Sequence, residues 1–294
     1  MDLEPSADQL ALVEELRRAL DTNASWDALV DMGILALPVP EVDGGVGLGW
    51  TDAVLAFQAL GRACVEGPFV STAAATAVGL ADGVTGLLPD GAPAFVEHLD
   101  RLDSLLVLNG DGVGRVPLPL AGARLAERPM DPGTPVHLVD GALAGDTVGD
   151  ADVAHTLTRH AALLAAAMQV GLGSAAVEIA TAYAQQRQQF GRPIGSFQAL
   201  KHLLADAAVS LEVARAAVDA AAVMEDEGDE RVDRAVAAAR IVASEAGARA
   251  TRACIQVHGG MGYTWELGVH LHLKRVLALD QVPMTVEDAI SVMA

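Results

Sequence analysis

Three helical segments follow one another with little between them, roughly Ala154 to Gln186, Phe197 to Met224 and Asp229 to Val257, and helices of this length must pack side by side as a bundle. The middle one shows why. Leu200, Leu203, Leu204, Ala207, Leu211, Ala214, Val218 and Ala221 fall at offsets 3, 4, 7, 11, 14, 18 and 21, a single apolar stripe at helical spacing that needs a partner. Aromatics are only 3% of the chain and alanine dominates, which favours close helix packing through small side chains over a sheet sandwich. The most membrane-like stretch, Ala161 to Ala184, is interrupted by Gln169, Ser174 and Glu178 and reads as a buried soluble helix.

At 294 residues the chain is long enough for two domains, or one large domain with an appendage. With 52% apolar and 20% charged residues it can build a core without disulfides or metals. The net charge of -20, from 19 basic and 39 acidic residues, argues against nucleic acid and anionic membrane surfaces as partners. Cys64 and Cys254 match no bridge framework or metal-ligand spacing, and His270 and His272 do not share a helix face, so no metal site is expected. Asp2, Glu4 and Asp8 stand where an export signal would carry basic charge, so a cytoplasmic location is the expectation.

Upstream of the bundle, Leu10, Val13, Leu16 and Leu20 form a helical stripe with Ser6 as candidate N-cap, Trp26 to Gly33 begins another short segment, and Thr51 to Gly61 resumes helical spacing. Between Ser104 and Gly149 the texture changes. Leu105 to Leu108, a turn at Asn109 to Gly112 and then Val116 to Leu120 read as a hairpin, and prolines at 117, 119, 129, 132 and 135 keep the sheet short and edge-rich. The acidic run Glu225 to Glu230, with Gly228, reads as a solvated turn between helices.

Two loops at helix ends are richer than connectors need to be. In RQQFGRPIGSFQ, Arg187 to Gln198, the glycines and proline shape the backbone while Arg187 and Arg192 offer guanidinium forks suited to phosphate oxygens. In QVHGGMGY, Gln256 to Tyr263, Gly259 and Gly260 end a helix and let main chain approach a ligand, with Gln256 offering an amide. His258 reads as a packed histidine and Met261 as a gap filler.

RQQFGRPIGSFQALKHLLAD followed by QVHGGMGYTWE resembles the C-terminal helical domain of acyl-CoA dehydrogenases. The likeness extends weakly into the N-terminal part through Trp26, Leu29, Gly33, Pro38, Pro40, Gly44, Gly45 and Gly47, and so spans most of the chain. It implies a mainly α fold: an N-terminal helical domain (1–103), a reduced middle β domain (104–150) and a C-terminal four-helix bundle (151–294) that dimerises, with FAD across the subunit interface. In the family the positions matching Arg187, Gln189, Phe190, Phe197, Gln198, Gln256, Gly259 and Gly260 contact the ADP half of an FAD held mainly by the neighbouring subunit.

The departures from the family are as informative. Nothing between Ser104 and Gly149 resembles the T-E-P-x-A-G-S segment that holds the flavin ring. The usual position of the catalytic glutamate falls on Pro283 and the alternative one near Ala161, and neither residue can take a proton, so no catalytic residue is assigned to this chain. What serves the neighbour's cofactor is kept and what would serve its own is lost. That pattern resembles the heterotetrameric (α2β2) acyl-CoA dehydrogenases of steroid-degrading actinobacteria. By resemblance, a complete second subunit would supply the base, the substrate would be an acyl-CoA with a bulky steroid side chain, and an electron-transfer flavoprotein would accept the electrons. The alternatives are a self-sufficient homo-oligomer whose displaced base is Asp280 or Glu287, and a non-catalytic helical scaffold.

Overall fold

The computed structural model describes residues 4–22 and 24–294; Asp2, part of the acidic start, lies outside the described residues. The first helix, α1 (Ala7–Asp21), begins where expected: Ser6 Oγ accepts from the Gln9 amide at 3.2 Å while the Gln9 side chain accepts from the Ser6 amide at 2.9 Å, a reciprocal capping box. Ser25 caps α2 (Trp26–Asp31) in the simpler way. After a loop that turns through Gly33 and Gly44 in left-handed backbone come α3 (Trp50–Arg62) and α4 (Phe69–Ala77).

The bundle consists of α5 (Ala151–Gln186), α6 (Gln198–Glu227), α7 (Val232–His258) and α8 (Val269–Leu279), with the short α9 (Val286–Met293) packed on α7. The stripe read on α6 faces inward: Ala207, Leu211, Ala214, Val218 and Ala221 are all buried. Helix α5 is central. Its length and composition would suffice to cross a membrane, yet 78% of its most apolar window is buried by the rest of the chain. It meets α3 almost backbone to backbone. A Cβ on Gly171 would stand 2.1 Å from the Gln58 carbonyl oxygen, and one on Gly61 would stand 2.1 Å from the Met168 carbonyl oxygen. The small-residue composition thus becomes an interhelical distance that larger side chains would not permit.

The sheet domain holds β1 (Thr85–Pro89), β2 (Ala94–Glu97), β3 (Ser104–Asn109), β4 (Gly112–Val116), β5 (Arg124–Leu125), β6 (Val136–Val139) and β7 (Asp146–Gly149). One sheet runs β1-β3-β4-β7, with β1 parallel to β3 and the other pairs antiparallel; the second, β2-β6-β5, is antiparallel. A small core of Leu88, Ala94, Val96, Leu105, Val107, Val116 and Val139 packs within it.

Strand structure therefore begins at Thr85, upstream of the boundary at residue 104 expected from the sequence. The reason is pairing: β1 is a five-residue run containing Gly86 and Pro89 whose partner is a parallel strand further along the chain, so no local turn announces it. The β3–β4 hairpin is tighter than expected, and β4 ends at Val116 rather than running to Leu120, because Pro117 has no N–H to extend the ladder.

The acidic run is also more than a solvated turn. Helix α6 continues to Glu227, and Glu225, four residues beyond Ala221, prolongs the inward stripe. Its carboxylate accepts from Arg159 Nε at 2.7 Å and Nη2 at 3.1 Å and lies 3.0 Å from His160 Nε2. Asp226 accepts from the Trp50 and Thr51 amides at 2.6 and 3.1 Å, supplying from across the fold the N-cap that Gly49 cannot give α3.

Burial raises the Glu225 pKa, but the hydrogen bonds from His160 and Arg159 and their charges outweigh it and hold the carboxyl at about 2, against an ordinary 4.5. A carboxyl whose pKa is lower in the folded state stabilises the fold above its unfolded pKa, and that stability is lost as pH falls through the folded value. We expect denaturant melts between pH ~5 and ~2 to show the native chain losing on the order of 2–3 kcal/mol more than Glu225→Gln. Parallel pH profiles for the two proteins would show that Glu225 is not the group responsible.

Candidate functional site

Both motif loops lie at one end of the bundle. Past α5 the chain folds into a minimal hairpin of β8 (Gln188–Gln189) and β9 (Arg192–Pro193), whose two turn residues, Phe190 and Gly191, have φ of 53° and 74°. A two-residue turn with both φ positive matches the strand twist, and glycine takes such a position freely, but a bulky residue like Phe190 is strained there. The ring is also 90% exposed, so burial does not offset that strain. It stands edge-on to Phe197, 6.1 Å between centroids, and the Arg192 guanidinium lies 4.2 Å over the Phe197 ring.

The backbone of Arg187 is fixed by bonds of 2.8 Å to the Tyr183 carbonyl and from the Ile194 amide. Its side chain is exposed and makes no ion pair among the described residues. Gln189 and Gln198 are exposed, and Phe197 precedes α6 without giving it a side-chain cap.

The second motif ends α7. Gln256 is exposed, and Gly259 turns with φ 61° and ψ −138°, which only glycine adopts readily. A Cβ on Gly259 or Gly260 would meet nothing within 4 Å, so the backbone here is open to an incoming group. His258 is packed, as its context suggested: Nδ1 lies 2.8 Å from the Cys254 carbonyl oxygen and the ring stacks on Tyr183 at 4.1 Å. That stack, with an apolar cluster including Ala180, Ala184, Ile255, Ile194 and Leu200, ties the two motif-bearing ends together. Met261, Tyr263 and Trp265 leave further apolar surface exposed here, in a chain that is only 3% aromatic.

A cavity of about 430 Å³ lies between the sheet domain and the helices, walled by residues of α4, β1, β2, α5 and the segment after α8. Pro283 is on its wall. Ala161 is buried in the helical core. Neither nearby acid reaches the cavity. Asp280 Oδ1 accepts from Gln169 Nε2 at 2.8 Å and lies 3.4 Å from Nη1 of the fully buried Arg240, while Glu287 is exposed in the first turn of α9. Arg240 also donates to the Gln169 side chain at 2.7 Å and to the Leu279 and Met284 carbonyls at 2.6 and 3.2 Å, which pins the segment carrying Pro283. The Asp280 carboxylate is thus committed to the fold.

Sequence reasoning did not find the polar groups that line the cavity. Asp131 and Arg275 form a buried ion pair; Asp131 also accepts from Thr134 Oγ1 at 2.8 Å and the Gly133 amide at 3.1 Å, and Arg275 also donates to the Val65 carbonyl. The only local signal was the D-P-G-T turn at 131–134. Glu97, at the end of β2, is half-buried, and its side chain makes no hydrogen bond or ion pair among the described residues. Burial, reinforced by the Asp131 charge and opposed by Arg275, pushes its pKa up to about 7. Burial, then the charges of Arg101 and Arg275, pull His98 down to about 4.

The sequence matches the family model for the acyl-CoA dehydrogenase N-terminal domain over residues 2–83 and that for the acyl-CoA dehydrogenase C-terminal domain over residues 151–281. It is 34% identical over 289 residues to acyl-CoA dehydrogenase IpdE2 of Mycolicibacterium smegmatis, covering 92% of this chain and 86% of that one. The fold is shared with the ChsE4-ChsE5 complex of Mycobacterium tuberculosis (TM-score 0.85, 24% identity, 100% of this chain and 98% of that one). It is also shared with the Tcur3481-Tcur3483 steroid ACAD (TM-score 0.78, 20% identity, 97% and 96%). Two domain matches and a relative aligned along nearly the whole chain lead to one conclusion: this protein belongs to the acyl-CoA dehydrogenase family.

Proposed function

We propose that this chain is the reduced subunit of a heteromeric, FAD-dependent acyl-CoA dehydrogenase, giving ADP-side contacts and an interface to a complete partner subunit that carries the base. The observation that carries the reading is Pro283 on the cavity wall at the family's base position, with Asp280 held by Arg240 and Gln169 and Glu287 outside the cavity. The self-sufficient alternative needed one of those two acids.

The residues kept here suit the ADP half of FAD. Arg187 is an uncommitted, exposed cation suited to a pyrophosphate, Gln189, Gln198 and Gln256 offer side-chain amides, and Gly259 and Gly260 leave room for backbone to approach. Phe190 and Phe197 present ring surface against which a planar base can lie. The flavin-ring side lacks its fitting, since the sheet domain has no counterpart of T-E-P-x-A-G-S. When bound, FAD supplies hydride acceptance in the α,β-dehydrogenation of an acyl-CoA thioester.

An unpartnered outer stripe of α6, with Ala205, Val209, Val213 and Ala216 exposed, gives a second subunit a surface to cover. The ChsE4-ChsE5 complex and the steroid ACAD among the fold neighbours favour an α2β2 assembly and a bulky polycyclic acyl group. An electron-transfer flavoprotein as acceptor and a cytoplasmic setting complete the proposal, with an N-terminal helical, a reduced middle β and a C-terminal bundle unit.

Arg187→Ala, coexpressed with the complete subunit from the native host, tests the contact. Losing a charge-assisted hydrogen bond to phosphate should weaken FAD retention about tenfold or more while the ratio of the two chains stays the same. Unchanged flavin content would remove the ADP-side assignment.

A further inference from the structure

We propose that a small cavity between α1, α3 and α6 is a binding site for a primary alkylammonium ion, whose charge is taken by Asp219 and whose chain lies against Val54, Leu55 and Val223. The cavity measures about 150 Å³, below the range of sites for drug-sized ligands and suited to a short alkyl chain. None of its wall belongs to the motif loops or to the sheet domain.

Asp219 supplies the charge. It stands on α6 beside Val218 of the inward stripe and is half-buried. Its carboxylate receives one hydrogen bond among the described residues, from Gln58 Nε2 to Oδ1 at 3.1 Å, and no ion pair. Arg215, one turn back on α6, directs its Nη atoms to Glu212 at 3.5 Å and Ser174 at 3.2 Å instead. Burial therefore dominates and pushes the Asp219 pKa up to about 6; the Gln58 bond and the Arg215 charge offset it only in part, and Glu212 adds to it. A carboxylate withdrawn from water with one oxygen lacking a donor gains from an incoming cation.

The rest of the wall selects the ligand. Glu4, the other charged residue on it, is also an acid, and no basic side chain lines the cavity among the described residues, so an anion would be repelled. Gln9 Nε2 donates to Thr51 Oγ1 at 3.4 Å while Gln9 Oε1 accepts from the Ser6 amide at 2.9 Å, which commits that amide to the start of α1. Pro5, Val54, Leu55 and Val223 are apolar, a poor oxygen cage for a metal ion but a fitting surface for methylene groups. An ammonium group brings three donors to the carboxylate and the Thr51 hydroxyl oxygen.

The charged groups around Asp219 are Glu212 and Arg215 on α6 and Glu4 ahead of α1, with Asp226 bonded to the Thr51 amide at 3.1 Å; α3 presents the uncharged Thr51, Val54, Leu55 and Gln58. An alkylammonium keeps its charge up to pH ~9, so the pH dependence belongs to Asp219. Binding is full above the Asp219 pKa and is lost as pH falls through about 6. This inference is independent of the flavin and of the partner subunit.

The test uses the full chain and n-butylammonium chloride at constant ionic strength, followed by saturation-transfer NMR on the ligand, with 1-butanol as the neutral counterpart. We expect saturable binding, about tenfold tighter near pH ~7.5 than near pH ~5, and about tenfold tighter than that of butanol at the higher pH. Asp219→Asn should bind about tenfold more weakly at pH ~7.5 and lose the pH dependence, whereas Asp31→Asn, which removes an exposed charge elsewhere, should bind like the native chain. Val223→Phe, at a half-buried position on the wall, should abolish binding while the thermal unfolding curve stays cooperative. Absence of saturable binding, equal binding of butanol, a loss in Asp31→Asn as large as in Asp219→Asn, or binding insensitive to both Asp219→Asn and Val223→Phe would each overturn the proposal.

Discussion

Asp280→Ala is expected to destabilise the fold by about 3–5 kcal/mol, because it leaves a fully buried guanidinium without its counter-charge. Burial pulls the Arg240 pKa below its ordinary value and the Asp280 charge opposes that pull, so removing the carboxylate leaves only the unfavourable part. The carbonyls of Leu279 and Met284 and the Gln169 amide oxygen would still accept from Arg240, but none carries a full charge. Asp280→Asn keeps an acceptor oxygen and should cost less. The pair of variants separates structure from catalysis. If Asp280 serves only the fold, the Asn variant in the coexpressed complex should turn over acyl-CoA within about twofold of the native rate, since no reacting group is touched. Native-like stability of the Ala variant together with lost turnover would make Asp280 the base and revive the self-sufficient reading.

Gly171→Ala is expected to cost about 3 kcal/mol, a large effect for one added methyl group. The added carbon would lie 2.1 Å from the Gln58 carbonyl oxygen and 2.8 Å from the Arg62 amide nitrogen, and both belong to the backbone of α3, which cannot rotate away as a side chain could. The two helices would have to separate along their whole contact. Gly61→Ala meets the Met168 carbonyl from the other side and should behave alike; because both changes open the same crossing, the double variant should cost less than the sum. Gly228→Ala is the control. Its φ is 64° and a Cβ there meets nothing within 4 Å, so only conformational strain, about 1 kcal/mol, applies. Equilibrium urea unfolding of the four proteins decides it, and a Gly171→Ala midpoint matching Gly228→Ala would show that the crossing is looser than its geometry indicates.

Much of the helical architecture was legible in the sequence, because long apolar stripes at helical spacing and side-chain caps such as Ser6 are local signals. Glu225 shows where such reading stops. The apolar spacing ended the helix at Met224 and left Glu225 in a turn; its partners, Arg159 and His160, belong to a helix more than sixty residues away, and a run of acids looks the same whether solvated or paired. Strand β1 escaped for a related reason, since a parallel partner leaves no turn signature between the strands. The loops around Arg187 and Gly259 stood out by composition, but that one bundle end holds both follows only from the parallel course of α5 and α7, with α6 returning between them. The Asp131–Arg275 pair and Glu97 were invisible, because a lone acid acquires its character only when the rest of the fold buries it.

The sharpest measurement is a count of flavin against chains. Tagged and purified from its native host, this protein should bring with it a second, unlike acyl-CoA dehydrogenase subunit, with one FAD for each pair of unlike chains; expressed alone it should be colourless and inactive. A yellow assembly of this chain only, with one FAD for every copy and dehydrogenase activity of its own, would contradict the division of labour proposed for it.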